Sequence, residues 1–336
     1  MRIILTGGAG FIGTHVLAEL IKQPHQILVL DNLQNSYPNA LKHIQSRSKD
    51  KVQFRQGDIC NEQFLEDAFT SFHPDIVVHL AGQKSVTESV LYPLYYYEKN
   101  ICGSLALLKV MSKTNVKNFV FSSSASVYGV PATVPTDENN VCKPIHSYGR
   151  TKLMVEDIVK DWVNSTPRAS ATILRYFNPI GAHHSGIFGD NPKNVIKNIV
   201  LALAEGAMGK VEKVLIYGND YKTPDGTCVR DFLHVEDLAK GHTQAVELLS
   251  NKPGFVVVNL GTGNGTSVLN LLETFERASG KKIPFDILPR REGDIPISVA
   301  DPSKAISMLN WQAEKSLDQM CFDAWQWFSR DSKFIN

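Results

Sequence analysis

Thr6-Gly7-Gly8-Ala9-Gly10-Phe11-Ile12-Gly13 decides how this chain begins to fold. Arg2 and the apolar Ile3–Leu5 lead into it as a short strand. Phe11, Ile12, Val16, Leu17 and Leu20 follow at helical spacing. The glycines therefore occupy a strand-to-helix turn, the context that gives such a pattern meaning. Gly7 permits the tight turn, Gly10 lets backbone approach a diphosphate, and Gly13 lets the helix pack close on the strand. Free amides at the helix start then face the anion. A second strand, Ile27–Leu30, ends in Asp31. A carboxylate there accepts hydrogen bonds from the adenosine ribose and repels a 2′-phosphate. No Arg occupies the next few positions, so the expected cofactor is NAD rather than NADP.

At 336 residues the chain can bury a large core, and two lobes are expected. A net charge of +1 with 21% charged residues excludes a nucleic-acid footprint or a polybasic membrane anchor. No apolar run approaches the length of a membrane span, and the N-terminus reads at once as a core strand rather than a signal peptide. The five cysteines, Cys60, Cys102, Cys142, Cys228 and Cys321, form no C-x-x-C pair. Disulfides and zinc are not expected, and a cytoplasmic setting fits.

Strand-like segments at Val52–Gln56, Asp75–Leu80, Lys117–Ser122 and Ala171–Tyr176 alternate with helical patterns at Glu62–Ser71, Tyr92–Thr114 and Ser147–Asn164. This order predicts an α/β fold, a doubly wound parallel Rossmann-type sheet with a smaller α/β substrate-binding lobe. The division is placed at 1–178 and 179–336, with an interleaved boundary because Phe255–Leu260 again reads as a buried strand. Beyond residue 178, Gly, Pro, Asn and His thicken, a helix is expected over Lys193–Met208, and later pieces are expected to be shorter and loop-rich.

Tyr148-Gly149-Arg150-Thr151-Lys152 places a phenol and an ammonium on one helical face. A free tyrosine, with a pKa of about 10, is a poor base at neutral pH. A lysine charge and an oxidised nicotinamide nearby favour the phenolate, which predicts Tyr148 as a tuned general base. The strand before it ends in Ser122-Ser123-Ser124-Ala125-Ser126, at the carboxyl edge where ligands of open α/β sheets bind. A hydroxyl there can hold the reacting oxygen. Serines also cap and turn chains after strands, which is the plain reading for Ser122, Ser123 and Ser126.

Across nearly its whole length the chain resembles the extended short-chain dehydrogenase/reductase family, and within it the UDP-hexose 4-epimerases. T-G-G-A-G-F-I-G, F-S-S-S-A-S-V-Y-G and S-Y-G-R-T-K mark the superfamily. R-Y-F-N-P-I-G-A-H, G-N-D-Y-x-T-x-D-G, V-R-D-F-L-H-V-x-D-L-A and R-R-E-G-D-I-P are particular to the epimerases; L-D-N-L, G-D-I and H-L-A-G-Q-K also match. The resemblance implies NAD contacts at Gly7, Gly10, Phe11, Ile12, Gly13, Asp31, Asn32, Asn35, Ser36, Asp58, Ile59, Ala81, Gln83, Lys84, Tyr148, Lys152 and Phe177. It implies Ser124 as the serine of a catalytic trio with Tyr148 and Lys152. Asn178, Asn198, Arg230 and Arg291 match positions that hold a UDP diphosphate, Asp294 the one that takes the uridine ribose, and Tyr217 a further substrate contact. The arginines have their own warrant, since a diphosphate in a cleft wants charge-assisted donors. The implied partners are a UDP-sugar and a second copy of the chain, joined through the helices around 92–114 and 147–164. No metal is implied, and His183-His184 reads as an ordinary loop.

The chain departs from the epimerase pattern where Lys99 and Cys102 replace asparagines, where Ile196-Lys197 replaces Pro-Asn, and where Ser298 replaces a Tyr that lines the sugar pocket. The last opens the expected substrate range to N-acetylated UDP-hexosamines. Three rival readings each lack a residue pattern they require or keep one they should lose. A nucleotide-sugar 4,6-dehydratase needs an acidic pair where this chain has Ala125 and Ser126. A UDP-uronic acid epimerase or decarboxylase needs pocket cations that no motif supplies. A redox-sensing NAD-binding regulator characteristically lacks the Tyr/Lys pair, which this chain keeps.

Overall fold

The computed structural model describes residues 1–48, 50–193, 198–251, 254–291 and 293–330. Thirteen strands occur among them. They are β1 Arg2–Thr6, β2 Gln26–Asp31, β3 Val52–Gln56, β4 Ile76–His79, β5 Asn118–Ser124, β6 Ser170–Tyr176, β7 Asn178–Ile180, β8 Val214–Tyr217, β9 Val229–His234, β10 Phe255–Leu260, β11 Gly265–Ser267, β12 Phe285–Leu288 and β13 Ile297–Ser298. Seven form one parallel sheet in the order β10-β6-β5-β4-β1-β2-β3. The doubly wound sheet read from the sequence is therefore present.

Alternation along β1 shows how the sheet is clothed. Ile3 and Leu5 pack with Val16, Leu17 and Leu20 of the helix Phe11–Leu20, and with Leu238 and Val246. Ile4 faces the other way, into a layer with Leu65, Phe69, Leu107, Met111, Val155 and Val159. Successive side chains of a strand point to opposite faces, so a strand covered on both sides must be apolar throughout.

The order reverses between β1 and β4, which are neighbours although β2 and β3 intervene in sequence. A crevice opens at such a switch point, beyond the carboxyl ends of the strands. The two loops meet there so closely that a Cβ on Gly7, whose φ is +70°, would lie 2.7 Å from the backbone nitrogen of Ala81. A Cβ on Gly13 would stand 2.2 Å from the carbonyl oxygen of Gly7.

Three expectations differ in detail. The helix expected over Tyr92–Thr114 is interrupted: helices Pro93–Tyr96 and Gly103–Lys113 flank a π-helical turn, Tyr97–Cys102. The extra residue in that turn goes with buried Asn100, whose amide brackets the backbone of Gln83 and reaches Thr151 Oγ1 at 3.0 Å. The helix expected from Lys193 begins at Ile199, and Ile196-Lys197 lies outside the described residues, as does Glu292. Later pieces are not all short, because a 17-residue helix, Val235–Asn251, packs against the large sheet. Its apolar positions Leu238, Ala239, Ala245, Val246 and Leu249 share a buried face, a periodicity the reading of that region passed over.

The remaining strands make two small sheets, β11-β9-β13 with β7 against β9, and β12-β8. β7, β8 and β9 share a separate apolar core with the helices Ile199–Ala207, Val268–Ser279 and Leu317–Phe328.

Candidate active site

A cavity of about 1790 Å³ runs from the glycine turn to β13. All the residues singled out as catalytic, NAD-contacting or substrate-contacting line it. At one end Gly10 precedes the helix Phe11–Leu20 with extended backbone and no side-chain cap, so the first turn's amides stay unclaimed by a capping group. Asp31 closes this end. Its carboxylate accepts from Ala9 N at 3.0 Å, Leu33 N at 2.8 Å and Ser36 Oγ at 3.2 Å. Burial pushes its pKa up, and those hydrogen bonds restrain the rise. Asp31 thus ties the glycine turn to the loop after β2 as well as presenting an acceptor.

Asp58 and Ile59 lie beside it. Asp58 accepts from Cys60 N at 2.9 Å and pairs with Lys99 Nζ at 3.1 Å. Burial alone would raise the Asp58 pKa, but these partners hold it below the usual carboxylate range. Lys99, where the sequence departs from the epimerase pattern, is thus committed to a residue of the same cavity. Gln83 reaches Tyr95 OH at 3.1 Å, which joins the loop after β4 to the interrupted helix.

At the centre stand Ser124, Tyr148, Lys152 and Phe177. His146 caps the helix Ser147–Ser165 by accepting from Gly149 N at 3.1 Å, which fixes Tyr148 in its first turn. Lys152 Nζ donates to Ser122 O at 2.7 Å and lies 6.0 Å from the Tyr148 ring centre. The expected depression of the phenol pKa is not what the protein alone displays. Burial pushes Tyr148 above its ordinary value, and a hydrogen bond with Ser124 opposes that shift. Burial also lowers the Lys152 ammonium to about 8. Desolvation by the sheet edge outweighs the effect of a lysine charge directed at a carbonyl. The neighbouring serines take structural partners, Ser122 with His242 Nε2 at 3.0 Å and Ser123 with the Glu156 carboxylate.

The other end is cationic. Arg230 Nη2 lies 3.8 Å from Asp294 Oδ1, and Arg291 lies 3.7 Å above the Tyr217 ring centre. Asn178 begins β7, paired with β9. Asn198 caps the helix Ile199–Ala207 by accepting from Leu201 N at 2.9 Å, and its amide donates to Asp190 Oδ2 at 2.8 Å. Ser298 lies opposite Arg230 in the β13–β9 pair.

Several lining residues escaped the sequence reading, among them Asp190, His146 and Tyr176. Asp190 sits in Phe188-Gly189-Asp190-Asn191-Pro192, a stretch read only as loop, and nothing local marks its partners. His183, His184 and Glu236 place ligand atoms within 4.8 Å of one another. Glu236 is already paired with His184 Nδ1 at 2.6 Å and Lys315 Nζ at 2.8 Å, so an ammonium occupies the place a cation would take.

The residues present fit a dinucleotide. An uncapped helix start faces the crevice, a buried carboxylate stands at the end of β2, and only a residue without a Cβ lets the Gly7 turn meet the Ala81 backbone there. The comparisons agree. A family model described as the NAD dependent epimerase/dehydratase family matches residues 3–261. A UDP-glucose 4-epimerase of Dictyostelium discoideum is 48% identical over 329 residues, covering 98% of this chain and 96% of the relative. The crystal structure of the Bifidobacterium longum UDP-glucose 4-epimerase in complex with NAD+ and UDP superposes with a TM-score of 0.94 at 43% identity, covering 98% of each chain. The Campylobacter jejuni UDP-Glc/GlcNAc 4-epimerase gives 0.85 at 35% identity, covering 98% of this chain and 99% of its own.

Proposed function

The chain belongs to the NAD dependent epimerase/dehydratase family, and from that membership and the cavity we infer that it epimerises carbon 4 of UDP-hexoses with NAD. The observation that carries this reading is the placement of Ser124, Tyr148 and Lys152 in one cavity, between the Asp31 end and the Arg230 and Arg291 end.

Bound NAD supplies a hydride acceptor and, once reduced, the donor. Gly7, Gly10 and Gly13 bring backbone to its diphosphate, and Asp31 takes the adenosine ribose. Asn32, Asn35, Ser36, Asp58, Ile59, Ala81, Gln83 and Lys84 complete its contacts, with Phe177 near the nicotinamide. Tyr148 removes the proton from the sugar's 4-hydroxyl and later returns it, while Ser124 holds that oxygen. Lys152, fixed on Ser122 O, places positive charge beneath the phenol. Arg230, Arg291, Asn178 and Asn198 grip the diphosphate, and Tyr217 and Asp294 the nucleoside. The anchored nucleotide lets the 4-keto sugar turn without escaping.

We place the lobes at 1–178 and 179–336, with Phe255–Leu260 and the sheet-packing helix Val235–Asn251 returned to the first. The reading also favours a homodimer. Val90, Leu91, Leu105 and Met154 are exposed, as is Leu94 at 80%. These residues lie on helices at and beside 92–114 and 147–164. Leu94→Glu in a sedimentation experiment should yield monomers. Among the described residues no helix is long and apolar enough to cross a membrane, and we assign the protein to the cytoplasm.

A specific observation favours a wider substrate range. Ser298 lines the cavity, whereas Ile297 and Val299 do not. Val299 is buried against Gly265, where a Cβ would meet its Cγ2 at 2.9 Å. Neither chain neighbour of Ser298 enters the cavity wall, and we read that wall as open to a 2-acetamido group. The deciding experiment follows UDP-galactose, UDP-glucose and NADH in one cuvette. Product should form with no NADH accumulating in step; stoichiometric NADH would identify a dehydrogenase instead.

A further inference from the structure

Asp190 belongs to the loop before the helix Ile199–Ala207, yet its carboxylate stands between the two halves of the cavity. It is 7% exposed. Oδ2 accepts from Asn198 Nδ2 at 2.8 Å, on the diphosphate side. Oδ1 lies 4.0 Å from Lys84 Nζ, on the cofactor side. Its carbonyl accepts from Trp327 Nε1 at 2.9 Å, and a Cβ on Gly189 would lie 2.7 Å from the same indole, so the backbone here is pinned. Three residues on, Lys193 Nζ donates to Leu33 O at 2.7 Å and lies 5.0 Å from the Tyr37 ring centre. Leu33 in turn donates its N–H to Asp31. One short stretch therefore touches the loops after β2 and β4 as well as the residue that caps the substrate-side helix.

We propose that Asp190 is a positioning residue that couples the two binding sites: occupation of the UDP site tightens the hold on NAD through Asn198, Asp190 and Lys84. The proposal rests on the reading of Lys84 as an NAD contact and Asn198 as a diphosphate contact. A carboxylate shared between an amide and an ammonium transmits a shift of either, because a buried acceptor left unpaired is costly. Coupling between sites is reciprocal, so NAD must raise affinity for UDP by the same factor.

The test measures NAD loss from the purified holoenzyme on dilution, with and without UDP. In the parent, UDP should slow loss by about 5-fold or more, the lower end of common coupling. Asp190→Asn keeps the shape and removes the charge, and should bring that ratio to within about 2-fold of unity at this level of coupling. An unchanged ratio in Asp190→Asn, or a parent ratio near one, overturns the proposal. Should Asp190→Asn fail to fold by circular dichroism, Trp327→Phe removes the indole donor instead. It should also lower the ratio, and an unchanged ratio there has the same overturning force. Lys84→Ala and Asn198→Ala separate the two layers of argument. If the first leaves NAD loss unchanged and the second leaves UDP affinity unchanged, the contact assignments are wrong. If both act while Asp190→Asn retains full coupling, the assignments stand and the coupling role falls.

Discussion

Lys152 Nζ donates to the carbonyl oxygen of Ser122 at 2.7 Å, at the carboxyl edge of the sheet, and so stands 6.0 Å from the centre of the Tyr148 ring. The ammonium is anchored by the strand that carries Ser124, not by the phenol. Position is thereby set by the strand: β5 holds the lysine in place through a backbone carbonyl, independently of the phenol. Burial shifts both groups toward their neutral forms, which leaves the phenol sensitive to each positive charge brought near it.

Tyr148→Phe keeps the buried ring and removes the ionisable oxygen. Turnover of UDP-galactose should fall about 10²- to 10⁴-fold, the usual share of a general base. Bound NAD, read from the absorbance of the denatured supernatant, should stay at the parent level. Epimerisation at a parental rate would remove Tyr148 from the mechanism.

Arg230→Ala and Arg291→Ala should each weaken UDP binding by about 1.5–3 kcal/mol, the range for a hydrogen bond to a charged group. Arg230 also releases Asp294 in this change, and Arg291 leaves the Tyr217 face, so the two losses need not match. Titration calorimetry checks both. Parental affinity in the pair of variants is incompatible with a diphosphate at this end of the cavity.

Ser298→Tyr refills the wall next to Arg230. The parent should interconvert UDP-N-acetylglucosamine and UDP-N-acetylgalactosamine. The variant should lose that reaction about 10-fold or more relative to UDP-galactose, the scale of steric discrimination in a pocket. A parent that handles UDP-galactose and neither N-acetylated sugar contradicts the open-wall argument.

Acid should destabilise the protein well before carboxylates titrate. Burial lowers His15 and His79 to about 3 and His242 to about 4, from 6.5. Below about 6.5 the unfolded chain binds protons at these sites and the native state does not, so stability falls as pH falls, by roughly 1.4 kcal/mol per pH unit for each fully titrating group. Urea midpoints between pH 7 and 5 should decline steadily. His79→Asn should flatten that decline at some cost to stability, since His79 links Thr6 Oγ1 at 2.7 Å to Ser104 Oγ at 3.0 Å. A pH-independent midpoint in the parent contradicts this account.

The chain's own residues determined the parts that depend on near neighbours in sequence. A glycine turn between an apolar strand and a 3.6-residue periodicity can only be a strand-to-helix turn, and Tyr148 and Lys152, four apart on a helix, must share a face. Alternating strands and helices settle a parallel sheet, because parallel strands need crossovers. Tertiary structure alone decided which distant groups meet. Lys152 takes Ser122 O, 30 residues away; Lys99 takes Asp58, 41 away; Trp327 reaches Asp190 across 137. It likewise broke the helix at Tyr97–Cys102 around Asn100 and returned Val235–Asn251 to the large sheet. Periodicity reports only the face an element presents. The partner of a buried lysine or carboxylate is chosen by whichever polar group the packed layers leave within reach, since a buried charge must find one.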